Sequence, residues 1–442
     1  MIDIELIRKD PKSVETAIKK RGASVDIDYV REVDEKWRKL QRELDDMRAE
    51  HNAASDLIAK LVDDARKSAI EESKESKDRI GHKEFELKAV EDEFMGLMYK
   101  IPNIPFNEVP EGKDESDNQV LREVGKKPEI ASPKDYIQLG ESLELIDTER
   151  AAKVSGARFG YLKNEAPLLE FAIVQMVLAR LTDAEWLREV IKEAGLDVAV
   201  KPFIPLVPPV MIRPEAFRAM GKLDPGQEEE RYYLPKDDLY LIGSAEHTTG
   251  AMHMGEILEE EKLPLRYIAF STSFRREAGS YGKDTRGIIR VHQFDKLEMF
   301  SFAHPDQSRA EHDLFLAIQE AMLQELKIPY RVMLISTGDM VPTDAKQYDI
   351  ECWLVGSGSY RETHSTSNST DYQARRLNVK FREKDGGTRL VHTINGTAFA
   401  IGRIIIAIIE NYQDKDGGVK VPEALRPYMP KALERISRPR HE

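Results

Sequence analysis

Residues 274–298 read FRREAGSYGKDTRGIIRVHQFDKLE and form the densest cluster of residues that could carry chemistry. The pattern predicts a strand, a return strand and, between them, a cationic loop with Gly282, Lys283, Asp284, Arg286 and Gly287. Arginine side chains in such a loop would offer planar donors to a phosphate or a carboxylate, and a nearby aromatic ring would offer a stacking face for a base. On charge pattern alone, a solvated hairpin with surface ion pairs is an equally good interpretation.

Further strand-like segments lie on both sides of this hairpin. Apolar runs occupy residues 267–270, 296–302, 330–335, 349–355 and 389–394, and an amphipathic helix is predicted around residues 168–194. The strands mostly follow one another without strand–helix alternation, so we predict an α+β domain built on a mixed, mainly antiparallel β-sheet flanked by helices. The sequence has no GxGxxG after a strand and no GxxxxGK[ST], so a bound nucleotide would need another device.

A second segment that could carry chemistry, NGTAFAIGR, covers residues 395–403 and continues into an isoleucine-rich run. It predicts a very apolar helix with Arg403 near its start. An unpaired buried guanidinium is costly. Either a bound anion or a buried salt bridge would balance this charge, and the residues alone favour neither.

The N-terminal part of the chain has the apolar spacing of a coiled coil. Apolar residues recur in steps of three and four from Val30 to Leu61, with His51 as a polar member that would set the register. A second arm ends in a similar seam between Ile80 and Ile101. Two helices of about 30 residues would form an antiparallel hairpin, reversing near residues 63–67. Residues 102–130 have the proline-rich, polar composition of a linker.

Composition excludes several classes of protein. The 442 residues include 66 basic and 79 acidic side chains, a net charge of −13, which argues against indiscriminate polyanion binding. The single cysteine, Cys352, excludes an intramolecular disulfide and a cysteine-based zinc cluster. No apolar run is long enough to span a membrane, and the first residues lack the features of a signal peptide, so we expect a cytoplasmic protein with no membrane partner.

The segments around Arg275 and Arg403 resemble motifs two and three of class II aminoacyl-tRNA synthetases. In amino-acid sequence they are most similar to seryl-tRNA synthetases of the standard, zinc-free type. Other parts of the chain match that family in order: residues 1–22, residues 153–159, Pro208-Pro209, SNSTDYQARR at residues 367–376, and DGGVKVPEALRPYM at residues 416–429.

This resemblance implies a domain organisation and an activity. Residues 1–101 would form a tRNA-binding coiled-coil domain, residues 102–130 a linker, and residues 131–442 the class II catalytic domain. The enzyme would be a ligase that uses ATP and Mg²⁺ to activate L-serine as seryl-adenylate, releasing diphosphate. It would then transfer serine to the 3′ end of tRNA(Ser), releasing AMP, with tRNA(Sec) left open as a second acceptor. The family also implies a homodimer, formed around Pro208-Pro209.

The family pattern further assigns roles to individual residues. Catalysis would depend on Arg275 and Arg403. ATP would be bound by Arg275, Arg276, Glu277, Val291, His292, Gln293, Phe294, Glu362, Thr363, His364, Ser365 and Arg403, with Phe294 stacked on the adenine. L-serine would be bound by Ser244, Ala245, Glu246, Arg275, Glu298, Asn395 and Thr397. Mg²⁺ would be bound together with ATP by Glu362 and Ser365.

The chain departs from the family pattern at two short segments of the site. Ser244 stands in place of a threonine, and Thr363-His364 replaces the usual middle residues of a Glu-Ile-Ser-Ser segment, so we expect altered affinity more than lost activity. Two other functions fit parts of the pattern: a coiled-coil interaction protein with an inactive synthetase-like domain, and an enzyme that charges a carrier protein. Arg275, Arg403 and the hairpin occur together, which argues against both.

Overall fold

The chain folds as two compact units, Met1–Ile104 and Pro105–Glu442. The computed structural model describes residues 1–278 and 286–438. Three residues of the hairpin loop named above, Gly282, Lys283 and Asp284, lie outside the described residues, as does Gly279 of the same segment.

The N-terminal unit is helical, and aspartate side chains begin its first three helices. These helices are α1 (Ile4–Lys9), α2 (Pro11–Lys20), α3 (Ile27–Ile58) and α4 (Asp63–Tyr99). Asp3, Asp10 and Asp26 each accept a hydrogen bond from a backbone N–H of the first turn, at 2.9, 3.1 and 3.0 Å. Such caps satisfy N–H groups that have no partner within the helix.

Helices α3 and α4 form the predicted antiparallel hairpin. Tyr29 is bonded to Glu93, while Lys83 donates to Glu43 at 3.1 Å, so positions further along α3 meet positions earlier in α4. The predicted seam is buried where the first half of α3 packs against the second half of α4. The buried residues are Val30, Val33, Leu40 and Leu44 on α3 and Ile80, Val90 and Phe94 on α4.

The distal part of the hairpin differs from the prediction. Leu61 is exposed and His51 is only half-buried, because the early part of α4 is mostly charged and polar. The chain reverses at residues 59–62, four residues before the predicted position. Asp63, which has a left-handed φ of 54°, and Asp64 instead occupy the first turn of α4, where the helix dipole favours acidic side chains.

An eight-stranded sheet forms the centre of the second unit. The strands described in this unit are β1 (Gln119–Val124), β2 (Ile146–Asp147), β3 (Tyr161–Leu162), β4 (Ile204–Leu206), β5 (Met211–Ile212), β6 (Tyr233–Leu234), β7 (Leu239–Leu241), β8 (Ile257–Glu259), β9 (Leu265–Phe274), β10 (Gln293–Ala303), β11 (Tyr330–Leu334), β12 (Lys346–Leu354), β13 (Ser359–Asn368), β14 (Lys380–Arg382), β15 (Thr388–Leu390), β16 (His392–Ala400), β17 (Val419–Lys420) and β18 (Arg435–Ile436). The large sheet has the order β1-β11-β12-β13-β16-β10-β9-β4. Neighbouring strands in it are antiparallel except β4 and β9, so the predicted mainly antiparallel α+β fold is confirmed.

Helices cover this sheet and supply most of the remaining core. They are α5 (Tyr136–Ser142), α6 (Thr148–Ser155), α7 (Glu165–Leu181), α8 (Ala184–Glu193), α9 (Pro214–Ala219), α10 (Glu246–Ala251), α11 (Ser308–Glu325), α12 (Tyr372–Leu377) and α13 (Ile401–Asn411). The largest apolar cluster joins α7, α11 and α13 to the central strands through residues such as Leu169, Phe315, Ile405 and Leu297. Within the described ranges, no helix is both long enough and apolar enough to cross a membrane.

Two predicted elements differ in detail. The helix expected around residues 168–194 is two helices, because Asp183 accepts a hydrogen bond from the Glu185 N–H at 2.9 Å and begins α8. Strand β13 was not predicted, since its polar sequence, SYRETHSTSN, lacks an apolar run. This strand carries Glu362 to Ser365, so its place between β12 and β16 brings the segment into the middle of the sheet.

Candidate active site

Arg275 is fixed where β9 ends and the hairpin loop begins. Its backbone N–H donates to the His292 carbonyl at 3.0 Å, and its Nε donates to the Gly243 carbonyl at 3.1 Å. The centre of its guanidinium lies 5.3 Å from the centroid of the Phe294 ring. Burial and the nearby charge of Arg403 lower the pKa of Arg275. The structure therefore places a cation beside an aromatic face, as the hairpin pattern predicts.

Arg403 lies in the first turn of α13 and contacts Glu362 of β13. Its Nη1 donates to the Glu362 carbonyl at 2.9 Å and lies 3.1 Å from the carboxylate Oε1. The charges of Arg403 and Arg275 bring the pKa of the half-exposed Glu362 carboxyl below its ordinary value. Arg403 is thus paired with a protein carboxylate. Because its side chain is still 27% exposed, a further anion could also reach it.

One cleft of about 570 Å³ brings the two sequence motifs together with β13. It is lined by Arg275, Glu277, Ile288, Ile289, Arg290, Val291, Phe294, Lys296, Glu362, Thr363, Thr397, Ala400, Gly402 and Arg403. Glu277 is held within it by an ion pair with Arg290 at 2.5 Å. Cations, carboxylates and one aromatic ring thus surround a space suited to a polyanionic ligand with a planar base.

In the part of the chain that is described, several residues assigned to ATP from the sequence are not among those that line the cleft: Arg276, His292, Gln293, His364 and Ser365. The guanidinium of Arg276 lies 5.7 Å from the centroid of the Tyr232 ring, and the His292 ring contacts Phe159 at 5.4 Å between centroids. Their assignment to ATP stays a prediction.

The segment that departs from the family pattern is divided between cleft and core. Glu362 faces Arg403, whereas the His364 ring is fully buried and contacts Phe399 at 5.1 Å between centroids. His364 Nδ1 is hydrogen-bonded to Thr363 Oγ1 at 2.8 Å, and burial lowers the pKa of His364 to about 3. The imidazole is therefore neutral, and this departure alters core packing more than the charge of the cleft.

A buried polar network adjoins the cleft through Lys296 and Thr397. Lys296 Nζ is bonded to Ser244 Oγ at 3.1 Å and forms an ion pair with Glu298. Glu298 stands opposite Thr397 in the β10–β16 ladder, which brings Thr397 Oγ1 to 3.5 Å from Glu298 Oε2. Burial raises the pKa of Glu298, although the Lys296 charge opposes this. The network presents a carboxyl group and a hydroxyl group side by side.

Glu246, at the start of α10, belongs to the same buried region. Its Oε1 receives hydrogen bonds from Lys222 Nζ and Gln373 Nε2, each at 3.1 Å. The preceding Ala245 is fully buried. Asn395 is buried as well, and its side-chain Nδ2 has no hydrogen-bond partner among the described residues.

The sequence pattern indicates no role for Lys222, Lys296 or Gln373, which complete this network. Lys296 and Gln373 lie inside the family-like segments VHQFDKLE and SNSTDYQARR, so their positions could have indicated that they belong to the site. Lys222 lies in an irregular loop after α9, where no periodicity or motif indicates a site.

The donors near Glu362 suit Mg²⁺. This ion is usually held by one or two carboxylates together with substrate phosphates. Glu362 supplies one carboxylate at the cleft, and Ser365 Oγ accepts a hydrogen bond from Gln347, which also donates to Asp349 at 2.9 Å. Burial and the charge of Glu362 raise the pKa of Asp349 to about 8, so Asp349 holds a proton at neutral pH and Glu362 is the charged carboxylate of the two. The described residues form no cluster of three or more acidic, histidine or cysteine ligands.

Comparisons with known proteins agree in both units. The family model described as the seryl-tRNA synthetase N-terminal domain matches residues 1–105, and the model of the class II tRNA synthetase core domain (G, H, P, S and T) matches residues 231–412. The chain is 40% identical over 431 residues to the serine–tRNA ligase of Thermobifida fusca, with 97% of each chain covered. It is 42% identical to the enzyme of the same name from Dictyoglomus turgidum, with 97% of this chain and 98% of that one covered.

A solved structure shows the same similarity. The crystal structure of seryl-tRNA synthetase from Pyrococcus horikoshii, complexed with ATP, superimposes with a TM-score of 0.84 at 37% identity and covers 100% of both chains. Sequence and fold agree over the full length of the chain, and it therefore belongs to the seryl-tRNA synthetase family.

Proposed function

We propose that this chain is a serine–tRNA ligase that activates L-serine with ATP and transfers it to tRNA(Ser). The observation that carries the proposal is the meeting of the cleft with the buried polar network. The cleft contains Arg275 and Arg403, and it meets the buried Glu298–Thr397 pair at its wall. The cleft suits a triphosphate with a base, and the network offers a carboxyl group and a hydroxyl group that would bind a small molecule with a hydroxyl group.

In the first step, the serine carboxylate would attack the α-phosphorus of ATP and form a new P–O bond. The bond from this phosphorus to the bridging oxygen would break, and diphosphate would leave. Arg275 would contact the carboxylate and the α-phosphate, and Arg403 would hold the far end of the triphosphate. Because little covalent chemistry is asked of the protein, these cations would act by positioning and by neutralising charge.

The adenosine would be held at the other side of the cleft. Phe294 would stack on the adenine, with Val291 beside it, and Glu277 would lie near the same base. The ion pair of Glu277 with Arg290 supports this, because it fixes the carboxylate before the nucleotide arrives. The roles of Arg276, His292, Gln293 and the segment from Thr363 to Ser365 are proposed on the family pattern alone.

Serine would be recognised by groups that are costly to leave unpaired. Glu246 and Ser244, with Ala245 between them, would bind the ammonium group, and Glu298, Thr397 and Asn395 would surround the side-chain hydroxyl. A site built to hydrogen-bond a hydroxyl rejects the analogue that lacks it, because its own buried polar groups then stay unpaired. This would exclude alanine.

We propose that Mg²⁺ enters with ATP and is held by Glu362 and Ser365. When bound it would supply charge neutralisation to the phosphates. The Arg403–Glu362 contact would keep the carboxylate oriented toward them.

The second step needs tRNA, and we propose that the α3–α4 hairpin binds it. Lys39, Arg42, Lys74 and Lys77 are exposed on the hairpin and could contact phosphates without reading base sequence. The acceptor would be tRNA(Ser), and tRNA(Sec) is a further candidate. Cytoplasmic location follows from this role.

We propose a homodimer formed around Pro208-Pro209. Strand β4 is an edge of the central sheet. Its first residue, Ile204, is 46% exposed, and Val207, directly after the strand, is 81% exposed. Exposed apolar residues on an unpaired edge strand are typical of a covered surface. Sedimentation at micromolar concentration should give twice the mass of one chain, and a single-chain mass would contradict the dimer.

The activity itself is tested by charging of tRNA(Ser) with labelled serine. The unaltered chain should charge it in the presence of ATP and Mg²⁺, and Arg403→Ala should charge it far more slowly. Equal charging by the variant and the unaltered chain would show that this cleft is not the site of the activity.

A further inference from the structure

Lys222 is a buried cation that none of the steps above uses. It lies in the loop after α9, and its side chain is 13% exposed. Its Nζ is 3.1 Å from Glu246 Oε1, and Asp344, which is 1% exposed, also acts on its charge. A buried ammonium group must be paired to be tolerated, so Lys222 and Glu246 depend on each other.

The loop that carries Lys222 is held in one conformation. Gly221 has a left-handed φ of +71°, and a Cβ at this position would lie 2.7 Å from Thr343 Cγ2. Two residues further on, Asp224 is paired with Arg376 of α12, whose Nη1 donates to its Oδ2 at 2.9 Å. Lys222 is therefore presented to Glu246 by a fixed backbone on each side.

The two oxygens of Glu246 have different surroundings. Lys222 and Gln373 both bond Oε1, and Gln373 is itself held because its Oε1 accepts a hydrogen bond from Thr393 at 2.7 Å. In the described part of the chain, no donor bonds Oε2. One oxygen is thus saturated by the protein, and the other keeps its lone pairs.

We propose that Lys222 is a positioning residue for the amino-acid substrate: it holds Glu246 as an oriented carboxylate whose Oε2 receives the ammonium group of serine. This inference rests on the proposed function, and it gives that function a residue that the sequence pattern does not indicate.

The charges around Glu246 set the sign of the test. The charged groups that face Glu246 are Lys222, Arg231 at the end of the loop that carries Lys222, and Lys296 and Glu298 of β10. Burial raises the pKa of Glu246, and Lys222 is the first of the groups that bring it below its ordinary value. Without the Lys222 charge, burial would dominate, and Glu246 would take up a proton as the pH falls. Its affinity for an ammonium group would then weaken with falling pH.

The experiment compares Lys222→Met, Lys222→Gln and Lys222→Arg in the full chain by serine-dependent ATP–diphosphate exchange. The Met and Gln variants should raise the KM for serine at least about tenfold near pH 7, and leave the KM for ATP within about twofold. Relative to the unaltered chain, the increase should be larger near pH 6 and smaller near pH 8.5. Lys222→Arg keeps the charge and should stay within about threefold. Lys262→Met removes an exposed lysine and serves as the matched control.

Four outcomes would overturn the inference. They are an unchanged KM for serine, parallel changes in both KM values, an increase that does not vary with pH, and variants that all melt below the assay temperature, which would make Lys222 purely structural. If the unaltered chain lacks serine-dependent exchange, the proposed function fails together with the inference. If the unaltered chain shows serine-dependent exchange and the Lys222 variants have the same KM for serine as that chain, the inference alone fails.

Discussion

At the scale of single residues, Arg275 is the side chain on which the proposed chemistry depends most. Arg275→Ala should slow seryl-adenylate formation at least about a hundredfold, since the same guanidinium would contact both reacting groups and stabilise the transition state. Serine-dependent diphosphate exchange measures this, with Arg188→Ala, an exposed arginine of α8, as the control. Activity within about tenfold of the unaltered chain, about 1.4 kcal/mol, would place the chemistry elsewhere.

Glu298 and Thr397 should separate serine binding from ATP binding. Glu298→Gln and Thr397→Ala each remove one member of the pair that faces the proposed hydroxyl site, so the KM for serine should rise about tenfold or more. The KM for ATP should change little. Thr182→Ala, at the exposed C-terminal end of α7, is a control for the threonine variant. A change confined to ATP would show that the pair belongs to the nucleotide pocket.

The sequence predicted some residues of the site better than others for a physical reason. Arg403 was identifiable because a cation at the head of an isoleucine-rich helix needs an anion, and the structure provides Glu362 as one partner. Lys222 carried no such signal, because its pairing with Glu246 depends on the path of a loop. The core position of His364 was equally hidden, since it depends on how β13 lies between its neighbours.

At the scale of elements, the packing of β9 against α11 depends on a buried ion pair. Arg266 and Glu311 are bonded twice, at 2.7 Å each, and Arg266 also donates to the carbonyls of Ala199 and Lys201. Glu311→Gln or Arg266→Met should destabilise the second unit by about 3–5 kcal/mol, because the remaining charge stays buried and unpaired.

Urea denaturation followed by the fluorescence of Trp186 and Trp353 measures this effect. Arg122→Met is the matched control, since the Arg122 side chain is 44% exposed in its pair with Glu320 and should contribute less than about 1 kcal/mol. Equal midpoints for the Arg266 and Arg122 variants would contradict the importance given to the buried pair.

The elements themselves were predictable where apolar periodicity is strong. Strands β9, β10, β11 and β12 all contain apolar runs that the sequence shows, and the hairpin α3–α4 follows from its seam. Strand β13 was missed because its polar residues serve a cleft on one side and hydrogen-bond networks on the other. The break before α8 was missed because one capping aspartate decides it.

At the scale of the whole molecule, the account predicts that activation and transfer can be separated. Deleting residues 45–84 and joining the ends with a short Gly-Ser bridge removes the distal hairpin but keeps the partly buried Arg8–Asp34 contact and the Trp37–Phe94 stack. Diphosphate exchange should then stay within about twofold, while tRNA charging should fall at least about a hundredfold, since phosphate contacts supply much of the affinity for tRNA. Normal charging by the shortened chain would make the hairpin structural.

The organisation of the chain was predictable in outline, since a charged helical hairpin and a strand-rich region differ in apolar period. The finer segments, 1–101, 102–130 and 131–442, stay a prediction, as does the dimer. Both depend on surfaces that periodicity does not encode.

The central claim is that the cleft and the adjoining buried network activate serine, and ATP–diphosphate exchange with each of the twenty amino acids tests it most directly. The account predicts exchange with serine, and rates lower by at least about a hundredfold with alanine, which lacks the hydroxyl that Glu298 and Thr397 would bind. Absence of exchange with serine, or faster exchange with another amino acid, would contradict it.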